Sequence, residues 1–322
     1  MPDNNQELTL KLTGAIGDTI IASSLVQGLN EIGYIVNIIS SRQALLLLKH
    51  LSGIGELRES SKNVIDLSDY LKWLPHTTML PKKFTGEEDR FGHLCEWMAY
   101  TLFEKSGIKI LPSRDDVKII LTPEEVEQGK IKINEISKEN NNLPVVVIAP
   151  YASVKNRSLP KKTLDEVIRG ISGFAHPFLL PRYDNLRELC AILYACDAFI
   201  GVDSGLLHMI NGVLQGTPYE IGTNNSNKNK VVVVFGSSNP EVVTYFGNHV
   251  IKTTFNCEIG FCGIHGYWNI EDYVKRFGRE IIRINDKSGC IYEAYANSQI
   301  PPCMASITAE EIIESVRKII KG

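Results

Sequence analysis

The chain has 322 residues, 43% of them hydrophobic and 22% charged, which is typical of a soluble globular protein long enough for two domains. A net charge of -3 gives no reason to expect a nucleic-acid partner, and no apolar run approaches the roughly 18 residues that span a bilayer. Seven cysteines behind a polar N-terminus that does not resemble a signal peptide predict a reducing, cytoplasmic location.

The first half of the chain predicts an α/β domain. A strand at residues 8–12 runs through a glycine-containing turn into an amphipathic helix, as nucleotide-binding domains begin. The turn holds Gly14 and Gly17, but it lacks the Gly-x-Gly-x-x-Gly fingerprint and a Walker lysine, so a nicotinamide cofactor is poorly supported. Asp18 has two interpretations, an N-terminal helix cap or a catalytic carboxylate at the C-terminal end of a strand.

Hydrophobic patterning predicts the rest of this half. Further strands are predicted at 34–40, 63–67 and 117–121, and helices at 42–51 and 91–105. The irregular segment 72–89 is either a surface loop or the part of the domain that faces a second substrate. Thr122 and Glu125 predict a capping box, and the helix they begin ends in the polar run 138–144. We expect that run to link a first domain of residues 1–142 to a second of residues 143–305.

The second half repeats the strand–loop–helix pattern. Strands are predicted at 145–149, 177–181, 198–202 and 231–235, and three of them end in loops of small polar residues. The first loop carries Lys155 and Arg157 and is either a phosphate-binding loop or a solvated basic loop. Because a parallel sheet brings such loops to one edge, their coincidence favours a ligand site there.

The other two loops are short. The strand that ends at Val202 passes through Asp203 and Ser204 into a helix beginning at Gly205. This turn is either an anion site at the helix N-terminus or a plain turn capped by Asp203 or Ser204. His208 adds a polar side chain one helical turn later, and the strand at 231–235 is followed by Gly236 and Ser237.

Four cysteines stand in the C-terminal third, Cys257, Cys262, Cys290 and Cys303. Four thiolates can close a tetrahedral site for zinc or iron, although their spacing matches no standard zinc ribbon. The alternative is four free, partly buried thiols. We expect the other three cysteines, Cys95, Cys190 and Cys196, to lie in the core.

Four segments together resemble glycosyltransferase family 9, the ADP-heptose-dependent heptosyltransferases. In chain order they are Gly14-Ala15-Ile16-Gly17-Asp18, Lys155-Asn156-Arg157-Ser158-Leu159-Pro160, Gly201-Val202-Asp203-Ser204-Gly205-Leu206-Leu207-His208 and Phe235-Gly236-Ser237-Ser238-Asn239-Pro240. The Asp-Ser-Gly-x-x-His element is the specific one. The sequence departs from the family pattern at Leu159, where a tryptophan is usual, and in the extra chain at 219–230.

The resemblance implies a GT-B fold, in which two Rossmann-like domains face a cleft, and inverting transfer without a catalytic metal or other cofactor. By analogy Asp18 is the general base, Lys155 or Arg157 neutralises the leaving diphosphate, and Asp203 holds hydroxyls of the donor sugar. The remaining donor-binding residues that the resemblance implies are Gly14, Gly17, Ser204, Gly205, His208, Gly236 and Ser237. The last helix, 306–322, would pack back on the first domain.

The resemblance also implies the substrates. The donor would be ADP-heptose, and the acceptor a hydroxyl of lipopolysaccharide or another glycan, reached with no more than a peripheral membrane contact. Alternatives are protein O-heptosyl transfer, favoured if the cysteines bind iron as in some relatives, and a non-catalytic protein that binds sugar nucleotides. A serine hydrolase with Ser204 as nucleophile has little support, because the Gly-x-Ser-x-Gly elbow is absent and His208 lies on the same helix.

Overall fold

The computed structural model describes residues 6–12, 15–55, 64–73, 76, 78–87, 89–218, 229–263, 278, 280–285 and 288–321. The chain divides into two compact units. The first consists of Met1–Ile131, Arg182–Ala195 and His208–Thr223, and the second of Lys132–Pro181, Cys196–Leu207 and Asn224–Gly322. Among the described residues, every helix is too short or too polar to cross a membrane.

The described strands are β1 (Gln6–Lys11), β2 (Tyr34–Ile39), β3 (Val64–Asp66), β4 (Val145–Ala149), β5 (His176–Leu179), β6 (Ala198–Val202), β7 (Val231–Phe235), β8 (His249–Lys252), β9 (Ile282–Asn285) and β10 (Ser288–Cys290). The described helices are α1 (Ile16–Glu31), α2 (Arg42–Leu47), α3 (Lys82–Thr85), α4 (Leu94–Ser106), α5 (Pro123–Glu139), α6 (Lys161–Ile171), α7 (Leu186–Ala195), α8 (Gly205–Gly216), α9 (Pro240–Val243), α10 (Ala294–Ser298), α11 (Pro302–Ala305) and α12 (Ala309–Lys321).

The first unit contains a parallel sheet in the order β2-β1-β3. One face of α1 covers it, with Ile20, Leu25 and Leu29 fully buried. The predicted capping box at the start of α5 is confirmed. The Thr122 amide donates to Glu125 Oε2 at 2.9 Å, and the Glu125 amide donates to Thr122 Oγ1 at 3.2 Å.

The strand predicted at 117–121 is not a strand. Its alternating pattern is real, because Val117, Ile119 and Leu121 are all buried. Its amides, however, donate to helices instead of a sheet: the Ile119 amide donates to the Gly212 carbonyl of α8 at 2.8 Å, and the Lys118 amide to Ser23 Oγ of α1 at 2.8 Å. Gly216 permits this close passage, since a Cβ there would lie 2.5 Å from the Ile119 carbonyl oxygen.

The second unit contains a five-stranded parallel sheet in the order β5-β4-β6-β7-β8. Strands β4, β6 and β7 are buried along their whole length, which explains their continuous apolar sequences. The patterning missed β8, an edge strand of the sequence His-Val-Ile-Lys. The prediction of two parallel-sheet α/β domains is confirmed.

The last helix, α12, lies elsewhere than the resemblance implies. Its buried residues Ile312 and Val316 belong to the core of the second unit. They pack there with α6 and with the strands β6, β7 and β8. Amphipathic patterning identified the buried face of α12 correctly, but patterning cannot tell which apolar surface a helix will cover.

Candidate functional site

Asp203 is the point where three loops of the second unit meet. It follows β6, is 5% exposed, and its Oδ2 accepts a hydrogen bond from Ser238 Oγ in the loop after β7. The same Oδ2 lies 3.3 Å from Nη1 of Arg157, which belongs to the loop after β4. Strands β4, β6 and β7 are neighbours in the sheet, so their carboxyl ends bring these loops together, the usual position of a ligand in an α/β sheet.

The two cations of the basic loop make different contacts. Arg157 is largely buried, and besides Asp203 it contacts Ser153 through Nη2, 3.2 Å from the hydroxyl oxygen. Lys155 is exposed, and its Nζ donates to the side-chain oxygen of Gln299. Both residues lie in one short 3-10 turn, Lys155–Arg157. Arg157 is therefore the cation of this loop that contacts the Asp203 carboxylate.

Two buried polar atoms beside Asp203 have no hydrogen-bond partner among the described residues: Ser204 Oγ and Arg157 Nε. Buried polar groups are nearly always hydrogen-bonded, so two such atoms without a partner next to a helix N-terminus are consistent with a site for a polar ligand. Gly205 is the first residue of α8. The alternative role of Ser204 as a side-chain cap is not seen, and a hydrolytic role has no base within hydrogen-bonding distance of its Oγ.

The remaining predicted donor residues are distributed as follows. His208 is buried on α8, one turn after Gly205. Gly236 and Ser237 follow β7, and Ser237 is 4% exposed. A Cβ on Gly236 would lie 2.4 Å from Met304 Sδ, so this glycine is required for packing. Gly14 lies outside the described residues.

Asp18 lies in the first unit, in the first turn of α1. The cap of that helix is Ala15, so the interpretation of Asp18 as N-cap is wrong; the helix begins earlier than the sequence suggested. Gly17 is the second residue of the helix. The Asp18 carboxylate is half-buried, and its Oδ1 accepts a hydrogen bond of 3.0 Å from the hydroxyl of buried Tyr70.

The four C-terminal cysteines line one small apolar cavity of about 20 Å³. Burial, with the neighbouring thiols of Cys290 and Cys257, raises the pKa of the Cys303 thiol to about 12. Four thiols are a donor set that suits zinc or iron. Their spacing does not suit a bound ion, because within the described ranges no three His, Cys, Asp or Glu side chains lie close enough together to hold one. The metal prediction is not supported by this structure.

Three residues at these sites escaped the sequence analysis. Ser238 was within a quoted motif, but the sequence does not show which hydroxyl of the turn contacts Asp203. Tyr70 is 52 positions from Asp18 and lies on a short 3-10 turn with no recognisable pattern. Asn156 lies between the two cations and is only 1% exposed. A polar residue flanked by Lys and Arg would be expected at the surface.

No protein-family model matches the sequence, and no curated protein matches it significantly. Solved structures do match. A family 9 glycosyl transferase from Veillonella parvula DSM 2008 has a TM-score of 0.58 at 15% identity, over 100% of this chain and 99% of that one. The E. coli ADP-heptose lps heptosyltransferase II has a TM-score of 0.55 at 12% identity, over 98% and 99%.

A third match is TibC from enterotoxigenic E. coli H10407, an iron-containing dodecameric glycosyltransferase, with a TM-score of 0.61 at 13% identity over 99% of this chain and 79% of that one. Identities this low establish a shared fold and no more. The GT-B fold class expected from the motifs is thereby confirmed, and the chain has the fold of the family 9 glycosyltransferases, including the ADP-heptose heptosyltransferases.

Proposed function

We propose that the chain is an inverting glycosyltransferase that moves heptose, or a related sugar, from an ADP-sugar to a hydroxyl group of lipopolysaccharide or another glycan. The observation that carries the proposal is the meeting of three loops at Asp203, with the largely buried Arg157 and the first turn of α8 beside it. This arrangement offers positive groups to a diphosphate and a carboxylate to sugar hydroxyls. The shared fold and the motifs in matching order support it.

The proposed chemistry is a single displacement at the anomeric carbon of the donor sugar. The acceptor oxygen bonds to the anomeric carbon of the sugar while the bond from that carbon to the diphosphate oxygen breaks, which inverts the configuration. Asp18 takes the proton of the acceptor hydroxyl. Arg157 and the amide groups at the start of α8 stabilise the negative charge that develops on the departing ADP, and Asp203 accepts hydrogen bonds from the donor sugar.

Calorimetry with a panel of nucleotides tests the donor. The panel is ADP-heptose, other ADP-sugars, UDP- and GDP-sugars, and ADP. We expect ADP-heptose to bind most tightly, and a ligand at a hundredfold excess over its Kd to stabilise the fold by about 2.7 kcal/mol in a melting experiment. Preference for a UDP- or GDP-sugar would reassign the donor, and absence of binding by folded protein would overturn the proposal.

Transfer is tested with Asp18→Asn, which keeps the size of the side chain and removes the base. We expect this variant to bind the donor like the parent and to lose transfer to a glycan acceptor. Transfer at the parental rate would contradict catalysis by Asp18. A parent protein that binds the donor but transfers sugar to no acceptor would favour the non-catalytic alternative. A parallel assay with a bacterial surface protein as acceptor distinguishes glycan from protein acceptors. Only the acceptor that receives the sugar increases in mass.

A further inference from the structure

Asn156 joins the basic loop to the cysteine-bearing segment. Its side chain is almost fully buried, although it stands in the chain between the exposed Lys155 and the largely buried Arg157. Nδ2 donates to the Gly289 carbonyl at 2.7 Å, and Oδ1 accepts a hydrogen bond from the Tyr295 hydroxyl. Tyr295 is itself fully buried. Both ends of the amide are thus held by one distant segment, which fixes the side chain in a single orientation.

A second connection links the same two parts of the chain. Lys155 Nζ donates to the side-chain oxygen of Gln299, and the Gln299 amide donates to the Tyr295 carbonyl at 2.9 Å. Gln299 has a φ of 55°, in the left-handed region, at the end of α10. The turn that carries the two cations is therefore attached at two consecutive residues, Lys155 to the C-cap of α10 and Asn156 to β10.

The cysteine-bearing segment also supports the loop after β7. The Gly263 amide, next to Cys262, donates to the Ser237 carbonyl at 2.8 Å. Met304 and Cys303 pack so closely on Gly236 that a Cβ there would lie within 3.3 Å of both sulfur atoms. Asn156 and Ser237 line the same cavity as the four cysteines. The cysteine-bearing segment thus contacts two of the three loops that meet at Asp203.

We infer that the described parts of the cysteine-bearing segment, residues 257–263 and 288–303, position the diphosphate-binding loop, with Asn156 and Tyr295 as positioning residues that hold the Lys155–Arg157 turn. The inference rests on the proposed donor site. Ordering a flexible loop on binding costs free energy, and a loop already held in its binding conformation does not incur that cost. Tyr295 and Asn156 act through Arg157 and need no contact with the nucleotide.

The test is Tyr295→Phe, which removes the hydroxyl and keeps the buried ring. A matched control is Tyr292→Phe, because the Tyr292 hydroxyl accepts a bond of 3.2 Å from the Glu258 amide within the cysteine-bearing segment itself. We expect Tyr295→Phe to weaken ADP binding about three- to tenfold, the loss that one buried neutral hydrogen bond produces. Tyr292→Phe should bind ADP as the parent does.

A double-mutant cycle separates positioning from a general loss of stability. If Tyr295 acts through Arg157, then Tyr295→Phe should have no further effect on ADP affinity in an Arg157→Ala background. A variant that merely loosens the fold would weaken binding equally in both backgrounds. If Tyr295→Phe fails to fold, Asn156→Ala is the replacement, since it removes the same hydrogen bond from the acceptor side together with the bond to Gly289. It should likewise weaken ADP binding only where Arg157 is present.

The outcomes distinguish the two claims. A parent protein that binds no nucleotide overturns the proposed function and this inference with it. If the parent binds ADP and the ADP affinity of Tyr295→Phe equals that of the parent or of Tyr292→Phe, the inference is overturned and the proposed function is not. Weaker binding by Tyr295→Phe that disappears in the Arg157→Ala background supports it.

Discussion

Arg157 Nη1 lies 3.3 Å from Asp203 Oδ2, whereas Lys155, two residues earlier in the same turn, donates to Gln299. The motif resemblance treats these two cations as equivalent candidates for the leaving diphosphate. The structure gives them different environments: a largely buried guanidinium beside a carboxylate, and an exposed ammonium that donates to Gln299 of the cysteine-bearing segment. A guanidinium also offers several fixed donors to a phosphate, and an ammonium does not.

We therefore expect Arg157→Ala to lower ADP affinity about ten- to a hundredfold, the range for a lost hydrogen bond to a charged group, and Lys155→Ala to lower it by less than threefold. Calorimetry at one ionic strength measures both, because screening changes such contacts. A larger loss for Lys155→Ala would assign the diphosphate to the exposed cation.

Asp203 should discriminate between ligands that carry a sugar and those that do not. Asp203→Asn keeps the shape and removes the charge, so hydroxyl groups of a donor sugar lose a charged acceptor. We expect the affinity for an ADP-sugar to fall about tenfold more than the affinity for ADP, from the roughly 1.5–3 kcal/mol of a charge-assisted hydrogen bond. Equal losses for both ligands would mean that Asp203 acts by holding Arg157 and does not contact the sugar.

The parallel sheet of the second unit could be predicted because β4, β6 and β7 are short, continuous apolar runs that are buried on both faces. The convergence at Asp203 followed from that topology alone, since adjacent parallel strands end at one edge. Long-range partners could not be predicted. Asn156 bonds to Gly289, 133 positions later, and neither residue carries a pattern that points to the other.

Segment 117–121 shows a second limit of prediction from the sequence. Alternating burial identifies one inward face, but it does not say whether the backbone groups pair with a strand or with the end of a helix. Here they pair with α8, and the close approach depends on Gly216. The sequence shows the glycine, but its partner is visible only in three dimensions.

Tyr70 should affect the chemical step more than donor binding. Its hydroxyl donates to Asp18 Oδ1, and its ring is 2% exposed, so the hydrogen bond holds the carboxylate in one orientation. We expect Tyr70→Phe to lower kcat about three- to tenfold with donor affinity unchanged. Steady-state kinetics and calorimetry measure the two effects. The control is Tyr34→Phe, on β2 of the same unit. If Tyr70→Phe lowers only the donor affinity and leaves kcat unchanged, this role for Tyr70 is contradicted.

The four C-terminal thiols should differ in reactivity. The thiolate is the nucleophile, and a pKa of about 12 leaves little thiolate on Cys303 near neutral pH. All four thiols are partly exposed, and we expect iodoacetamide at pH 7.5 to modify Cys303 last, as followed by peptide mass spectrometry. If all four thiols resist modification until a chelator is added, they bind a metal ion. In that case the four sulfur atoms must lie closer together in the metal-bound protein than they do in this structure.

The ion pair of Glu125 with Arg187 should make the stability of the first unit depend on pH. Arg187 is 9% exposed; its Nε donates to Glu125 Oε1 at 2.8 Å, and Nη2 donates to Oε2. It also donates to the Leu47 and Ile120 carbonyls at 3.2 and 2.7 Å, so one side chain ties α2, the 117–121 segment and α7 together.

Burial disfavours the charged form of Glu125, but the hydrogen bonds from Arg187 and from the Thr122 amide outweigh it and lower the pKa of Glu125. A carboxyl group whose pKa is lower in the folded state stabilises the fold above its unfolded pKa of about 4.3, and that stabilisation is lost as the pH falls toward the folded value. We expect Glu125→Gln to lower the free energy of unfolding by about 1–2 kcal/mol at pH 7, a figure kept small because Glu125 is partly solvated.

That difference should shrink as the pH falls below about 4, because the parent then loses the same charge. Urea titrations at pH 7, 5 and 3.5 measure it, with Glu127→Gln, an exposed position on the same helix, as the control. A gap between Glu125→Gln and the parent that stays constant from pH 7 to pH 3.5 would mean that the side-chain amide loses packing or capping, and that the charge of Glu125 contributes nothing to stability.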